Sequence, residues 1–319
     1  MKNKIYLLLT GGLGNQLFQY AAARNLSIKN NCELIIDTKS GLLINDIYIF
    51  LKSKGKSKFV LNKKEILGLN NNELKKINCR NFILKFFFFK IIKKICKIFY
   101  IKSKLLNNFI NFLIIDETLL NSFSKKVLNI KLKKDIYLLG YFQSEKYFLE
   151  NKNIIIKEIF PLKSKNKLFL NMKNRINNCN SVSLAIRSFE SEIFETKKFG
   201  GIASYEFYTR AIDLILKEVS NPNFFFFSTN INNAKNILNK IPILNKYKFA
   251  FITSDLGYND ANDTLWLMSY CKYHIISNST LYWWGAYFSS LRYKKNKIIC
   301  SGNYPNKDTC LNNWKLNNL

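Results

Sequence analysis

An α/β architecture of two facing domains is predicted by three observations. The chain opens on an apolar strand that runs into a glycine turn and a helix, and a second series of alternating strands and helices begins near residue 181. Between them lies a polar stretch at residues 163–167. The 319 residues exceed one average domain and fit two. With 48% hydrophobic and 15% aromatic residues there is material for two cores, which excludes global disorder.

In the first half, residues 4–9 read as a strand, 15–28 as a helix and 33–37 as a second strand. Such a β-α-β unit opens a nucleotide-binding-type parallel sheet. The apolar run at 5–9 is too short for the core of a signal peptide, so none is expected. Residues 52–134 read as a basic, Asn-rich helical insertion. Within it, residues 81–100 interleave aromatics, including Phe86 to Phe89, with lysines at 85, 90, 93, 94 and 97. Those lysines deny it the roughly 20 uninterrupted apolar residues of a spanning helix. Two readings stay open: a helix on an anionic membrane surface through residues 81–102, or an amphipathic helix packed on its own domain. Residues 136–139 form a strand and 145–150 a helix, completing a first domain at 1–160. In the second, 161–319, strands fall at 181–186, 223–228, 249–252 and 273–276. Helices fall at 205–219, 231–238, 263–270 and from 281 onward, and Trp283-Trp284 reads as core.

Fifty basic residues against 21 acidic give a net charge of +29, which attracts polyanions, phosphorylated substrates and acidic lipid alike. Part of the lysine excess fits a composition served by A/T-rich codons. Seven scattered cysteines without a CxxC pair fit reduced thiols in a cytosolic chain better than disulfides or zinc. The single histidine, His274, makes any Ser-His-Asp or Cys-His mechanism depend on one residue. There is no Asp-x-Asp, the carboxylate pair with which metal-dependent sugar-nucleotide transferases hold Mg²⁺ or Mn²⁺. No metal or cofactor is therefore expected. A diphosphate leaving group would have to be met by arginine and a helix N-terminus.

Two strand-to-helix turns suit phosphate. The first is Gly11-Gly12-Leu13-Gly14-Asn15-Gln16. Gly12 and Gly14 fit G-x-G, but Leu17 stands at the third glycine of the dinucleotide fingerprint, so a generic tight turn competes with a cofactor site. Asp37 stands where a ribose would be met. The second turn is Ser277-Asn278-Ser279-Thr280, either a diphosphate cradle or an ordinary N-cap. Arg187 lies just past a strand's carboxyl end, where α/β sheets bind ligands, with Glu190, Glu192 and Glu195 after it. It is read either as a ligand contact or as half of a structural ion pair.

Taken together, these segments resemble the α-1,2-fucosyltransferase family of bacterial O-antigen and capsule synthesis. The stretch from Gly11 through Asn15, Gln16 and Gln19 to Ala21 matches the N-terminal signature. Gly140-Tyr141-Phe142-Gln143-Ser144-Glu145-Lys146-Tyr147-Phe148 is similar to the central motif, and residues 263–286 to the C-terminal block. The resemblance spans most of the chain outside residues 52–134. It implies two facing Rossmann-like domains of the GT-B type and an inverting, metal-independent transfer from GDP-fucose to a galactose-containing glycan, free or lipid-linked. Residues 161–319 would hold the nucleotide through Arg187, Asp263, Asn278, Ser279 and Thr280. Residues 1–160 would face the acceptor, with Gly12, Gly14, Asn15 and Gln16 at the cleft. Arg187 would meet charge growing on the β-phosphate, and a base for the acceptor hydroxyl would come from Glu190, Glu192 or Glu195. One departure bears on donor choice. Where the family commonly carries His-x-Arg-Arg-x-Asp, this chain has Ala185-Ile186-Arg187-Ser188-Phe189-Glu190. Two rivals stay in view, namely an NAD(P) oxidoreductase built on Gly12-x-Gly14 and a non-catalytic basic module binding membrane or nucleic acid. The cysteine pattern points to a cytoplasmic enzyme, peripheral on the inner face of the plasma membrane under the first reading of residues 81–102, and no nucleic-acid partner is expected.

Overall fold

A computed structural model describes residues 3–37, 75–76, 112–117, 122–159, 166–187 and 200–315. The chain divides into two compact units, Met1–Phe160 and Pro161–Leu319.

In the first unit, β1 (Lys4–Leu8), β2 (Glu33–Asp37), β3 (Lys75–Lys76), β4 (Phe112–Asp116) and β5 (Asp135–Leu139) form a parallel sheet in the order β3-β2-β1-β5-β4. The central strand carries Ile5 and Leu7, both fully buried, with Ile5 opposite Leu34 in β2 and Ile136 in β5. Helix α1 (Leu13–Lys29) returns along the sheet and buries Leu17, Phe18, Ala21 and Leu26. A short α2 (Lys125–Leu128) precedes β5, and α3 (Lys152–Glu158) closes the unit. Glu158 ties α3 to α1: it accepts from Arg24 Nη2 at 2.7 Å and from the Tyr20 hydroxyl at 2.6 Å.

The structure corrects the helical reading of residues 52–134 at 75–76 and 112–116, which are strands, and bears it out at Lys125–Leu128. Phe112–Asp116 is a full strand paired with β5, from Phe112 opposite Asp135 to Asp116 opposite Leu139. A parallel strand covered on both faces reads as an unbroken apolar run, which periodicity cannot tell from a helix segment. The aromatic-lysine stretch 81–102 lies outside the described residues. Residues 145–150 are two 3₁₀ turns, Glu145–Tyr147 and Leu149–Asn151, rather than an α-helix. Phe148, at φ −135°, interrupts the helical path between them.

In the second unit, β6 (Asn180–Ala185), β7 (Pro222–Ser228), β8 (Lys248–Thr253), β9 (Tyr273–Ile276) and β10 (Ile298–Cys300) form a parallel sheet ordered β10-β9-β6-β7-β8. Phe224 and Phe226 pack with Tyr208, Ala211, Ile212 and Ile215 of α5 (Tyr205–Glu218) and with Ala234 and Ile237 of α6 (Ile231–Lys240). Phe225 and Phe227 alternate to the opposite face, also buried. Helix α7 (Ala261–Tyr270) pairs with α8 (Thr280–Arg292), where Trp283 and Trp284 are fully buried core residues as expected. Helix α4 (Lys167–Asn177) has no counterpart in the sequence reading. It starts inside the stretch read as linker, capped by Asn166 Oδ1 on the Leu168 N–H at 2.9 Å. Among the described residues no helix is long and apolar enough to cross a membrane.

Candidate active site

The carboxyl ends of β6 and β9 are neighbours in the second sheet, and the loops leaving these two strands are hydrogen-bonded together. The Ser277 N–H donates to the Ala185 carbonyl at 3.2 Å, and the Arg187 N–H donates to Ser277 Oγ at 2.9 Å. The Arg187 guanidinium then reaches over the loop and donates from Nη1 to the Asn278 carbonyl at 2.6 Å. Burial lowers the guanidinium pKa, which the Tyr304 and Tyr282 hydroxyls oppose; the group stays charged all the same. A fixed, partly desolvated positive charge therefore stands beside the first turn of α8, whose N–H groups favour anions.

Several side chains hold this loop rigid. The Tyr304 hydroxyl lies 3.2 Å from both the Ser277 and Ser279 carbonyls, and Tyr282 donates to the Ile186 carbonyl at 3.2 Å. Asn278 is 1% exposed and turned inward, its Nδ2 donating to the Gly201 carbonyl at 3.1 Å and the Asn303 carbonyl at 3.2 Å. Asn303 in turn donates to the Gly200 carbonyl at 2.6 Å. Gly200 has φ +89°, and a Cβ there would fall 1.7 Å from the Asn303 carbonyl oxygen, so only glycine fits. Asn278 thus braces the cradle with its side chain, while Ser279 and Thr280 are half-buried at the start of α8. Ser279 makes no side-chain cap, whereas Ser204 caps α5.

Asp263 sits in the first turn of α7, the helix entered from β8, two strands from β6. The N-cap of α7 is Asp260, whose Oδ1 accepts from the Asn262 N–H at 2.6 Å. Glu190, Glu192 and Glu195 lie outside the described residues. His274 is fully enclosed in β9, its Nε2 donating to the Cys271 carbonyl at 3.1 Å, and burial pushes its pKa down to about 3. It is a neutral core residue with no access to a substrate. Among the described residues no group of three or more His, Cys, Asp or Glu could hold a metal ion.

The first unit has its own arrangement at the strand ends. Gly11 adopts φ +73°, Gly12 is the N-cap of α1, and Gln16 Nε2 donates to the Gly11 carbonyl at 2.9 Å. Gly14 is buried in the first turn. Asn15 Oδ1 accepts from Gln143 Nε2 at 2.9 Å, which joins the N-terminal signature to the central motif. Gln19 completes the joint, donating from Nε2 to the Thr10 hydroxyl and the Gly140 carbonyl, both at 2.9 Å. Asp37 is buried at the end of β2. One acid escapes the sequence reading: Glu117, one residue beyond β4, accepts from the Tyr141 and Phe142 N–H groups. Recognising 112–116 as a strand would have exposed it as a strand-end carboxylate. Tyr304 and Asn303 carry no local signal, because they act through loop carbonyls.

Loops braced at the carboxyl ends of parallel strands are the ligand-binding architecture of nucleotide-dependent α/β enzymes, and within that class this chain is a glycosyltransferase. Glycosyl transferase family 11 matches residues 4–313, and the chain belongs to that family. It is similar to an α-1,2-colitosyltransferase of Escherichia coli, 29% identical over 290 residues covering 88% of this chain and 86% of that protein. The O-antigen biosynthesis glycosyltransferase WbnK of Escherichia coli is 26% identical over 318 residues, with 93% of each chain covered. The fold is shared with the NodZ α-1,6-fucosyltransferase co-crystallised with GDP, at a TM-score of 0.51 and 12% identity over 90% of this chain and 92% of that one. It is shared equally with fucosyltransferase NodZ from Bradyrhizobium, at a TM-score of 0.50 and 11% identity over 89% and 92%.

Proposed function

We propose that this glycosyltransferase moves fucose from GDP-fucose to a sugar hydroxyl, O2 of a galactoside in a surface glycan such as an O-antigen or capsule, with inversion. The unit at 161–319 takes the nucleotide and the unit at 1–160 the acceptor, the division of labour of the GT-B fold. The observation that carries this is Arg187, whose guanidinium and backbone N–H both bind the 277–280 loop at the start of α8. As the anomeric carbon–oxygen bond breaks, negative charge grows on the β-phosphate. A preorganised guanidinium and helix N–H groups lower that barrier without reorganising. No divalent ion is needed for this step. Asp263 serves the donor ribose or guanine, and Asn15 and Gln16 the acceptor side. The acceptor is a galactose-containing glycan, free or lipid-linked, and the enzyme works in the cytoplasm, with residues 81–102 as the segment through which it would meet an anionic membrane surface; nucleic acid is not a partner.

The test is incubation of the pure protein with GDP-fucose and a panel of galactosides. An α-1,2-linked product with stoichiometric GDP is expected. A thermal shift with NADH or an oligonucleotide, but none with GDP, would overturn the assignment. A second reading is favoured by the name of the α-1,2-colitosyltransferase relative and by the altered 185–190 segment. Colitose is fucose without its 3-hydroxyl, and a site that does not bond that hydroxyl accepts both sugars. Comparing kcat/KM for GDP-fucose and GDP-colitose with one acceptor separates the two.

A further inference from the structure

In the unit at 1–160, one acid underlies the joint between the central motif and the glycine turn. Glu117 is 3% exposed. Its Oε2 accepts from the Tyr141 N–H at 3.1 Å and the Phe142 N–H at 2.9 Å. Its Oε1 is buried and, among the described residues, has no hydrogen-bond partner. The same side chain dictates residue 140. Gly140 has φ +132°, and a Cβ there would lie 2.7 Å from Glu117 Cβ and 2.9 Å from Oε2. Phe142 comes next but one at φ +50°, a conformation uncommon for a bulky residue. Residues 140–142 are thus held in an unfavourable path by this carboxylate. That path sets where the Gly140 carbonyl meets Gln19 and where Gln143 meets Asn15, both at 2.9 Å.

Burying a carboxylate this deeply costs stability even with two N–H partners and the Tyr147 hydroxyl beside it, and backbone strain such as that at Phe142 collects at functional sites. We propose that Glu117 is a positioning residue for the acceptor, and that gain or loss of its proton loosens or tightens residues 140–143 against the glycine turn. This rests on the assignment of the acceptor to this unit. Ionised Glu117 makes two charge-assisted bonds to backbone N–H groups, about twice as strong as neutral ones. Protonated, it keeps a carbonyl oxygen for them but loses that strength. The titratable groups that act on it are Asp116 on β4 and the Tyr147 hydroxyl; Tyr141 meets it through its backbone N–H, and burial pushes the Tyr141 hydroxyl further from ionisation. Gln16, Gln19 and Asn15 of α1 do not titrate. Burial raises the carboxyl to about 7; the Phe142 and Tyr141 N–H groups and Tyr147 pull it down, and Asp116 pushes it up. The switch therefore falls near neutral pH.

The test is steady-state transfer between pH 5.5 and 9 by the wild type and Glu117→Gln, varying acceptor and donor separately. Gln copies the neutral acid, so the variant should behave at every pH as the wild type does at low pH. As pH drops, the wild-type kcat/KM for acceptor should fall through a one-proton limb near pH 7 while donor KM stays constant. In Glu117→Gln that limb should vanish, with acceptor kcat/KM about tenfold or more below the wild-type plateau. Gly140→Ala, which crowds Glu117, should raise acceptor KM and leave the GDP thermal shift unchanged. A wild-type profile without the limb, a limb that persists in Glu117→Gln, or a donor KM that moves as much as the acceptor's would overturn the proposal. Failure of the donor assignment looks different: the wild type would then transfer from neither sugar nucleotide at any pH.

Discussion

Arg187 grips one loop with two kinds of donor, its backbone N–H on Ser277 Oγ and its guanidinium on the Asn278 carbonyl. Removing the side chain leaves the backbone bond in place, so Arg187→Ala should keep the fold but cost about 3–4 kcal/mol of barrier, a loss of roughly 10²–10³ in kcat. Tyr304→Phe removes a hydroxyl that two loop carbonyls share, and should cost about 1 kcal/mol of stability and raise donor KM. Both are read by kinetics beside thermal denaturation. His274 and Glu117, both buried, act in opposite directions on stability. His274 has its folded pKa lowered to about 3, so the folded chain binds fewer protons than the unfolded one between about pH 3 and 6.5. Its contribution is complete above about 6.5 and lost as pH falls through that window. His274→Gln, which keeps a donor for Cys271, should flatten the Tm slope there. Glu117, raised to about 7 because desolvation outweighs the N–H bonds that its ionised form strengthens, does the reverse for the fold as a whole: its contribution is present below about 4.5 and lost as pH rises to 7.

Among the elements, β7 is legible from four consecutive phenylalanines bounded by Pro222 and Ser228, and each of those rings is buried. Phe226→Ala should destabilise the unit at 161–319 by about 3–5 kcal/mol, read as a lowered denaturation midpoint. Helix α8 is legible from the turn before it, and β1 with α1 from the glycine turn between them. Strand β4 is not, because Phe112 to Ile115 carry no alternation and sit in a basic neighbourhood that biases the reading toward helix. Strand β10 is too short to announce itself: three residues, Ile298 to Cys300, paired only along β9 among the described strands. The turn at 277–280 is recognisable as a cradle, but the inward direction of Asn278 depends on Gly201 and Asn303, far away in sequence. Long-range side-chain bonds to carbonyls leave no periodic trace, so sequence spacing finds the loop and misses what braces it.

Across the whole molecule, two parallel-sheet units each put a glycine- or serine-rich turn at a strand's carboxyl end, and family 11 spans both. The excess of cations, +29 overall, is offset by no metal-type acid cluster among the described residues. If the proposed membrane surface and the proposed Arg187 contact both hold, binding to anionic vesicles should weaken steeply with salt while GDP affinity, set by a partly buried guanidinium, should change little. The decisive measurement is the rate of GDP-fucose transfer in excess EDTA, taken for the wild type and for Arg187→Ala. If guanidinium and helix N–H groups neutralise the leaving pyrophosphate, the wild type runs at full rate in EDTA and Arg187→Ala falls by roughly 10²–10³ while remaining folded. Loss of wild-type transfer in EDTA, together with an Arg187→Ala enzyme of normal rate when a divalent ion is restored, would contradict it.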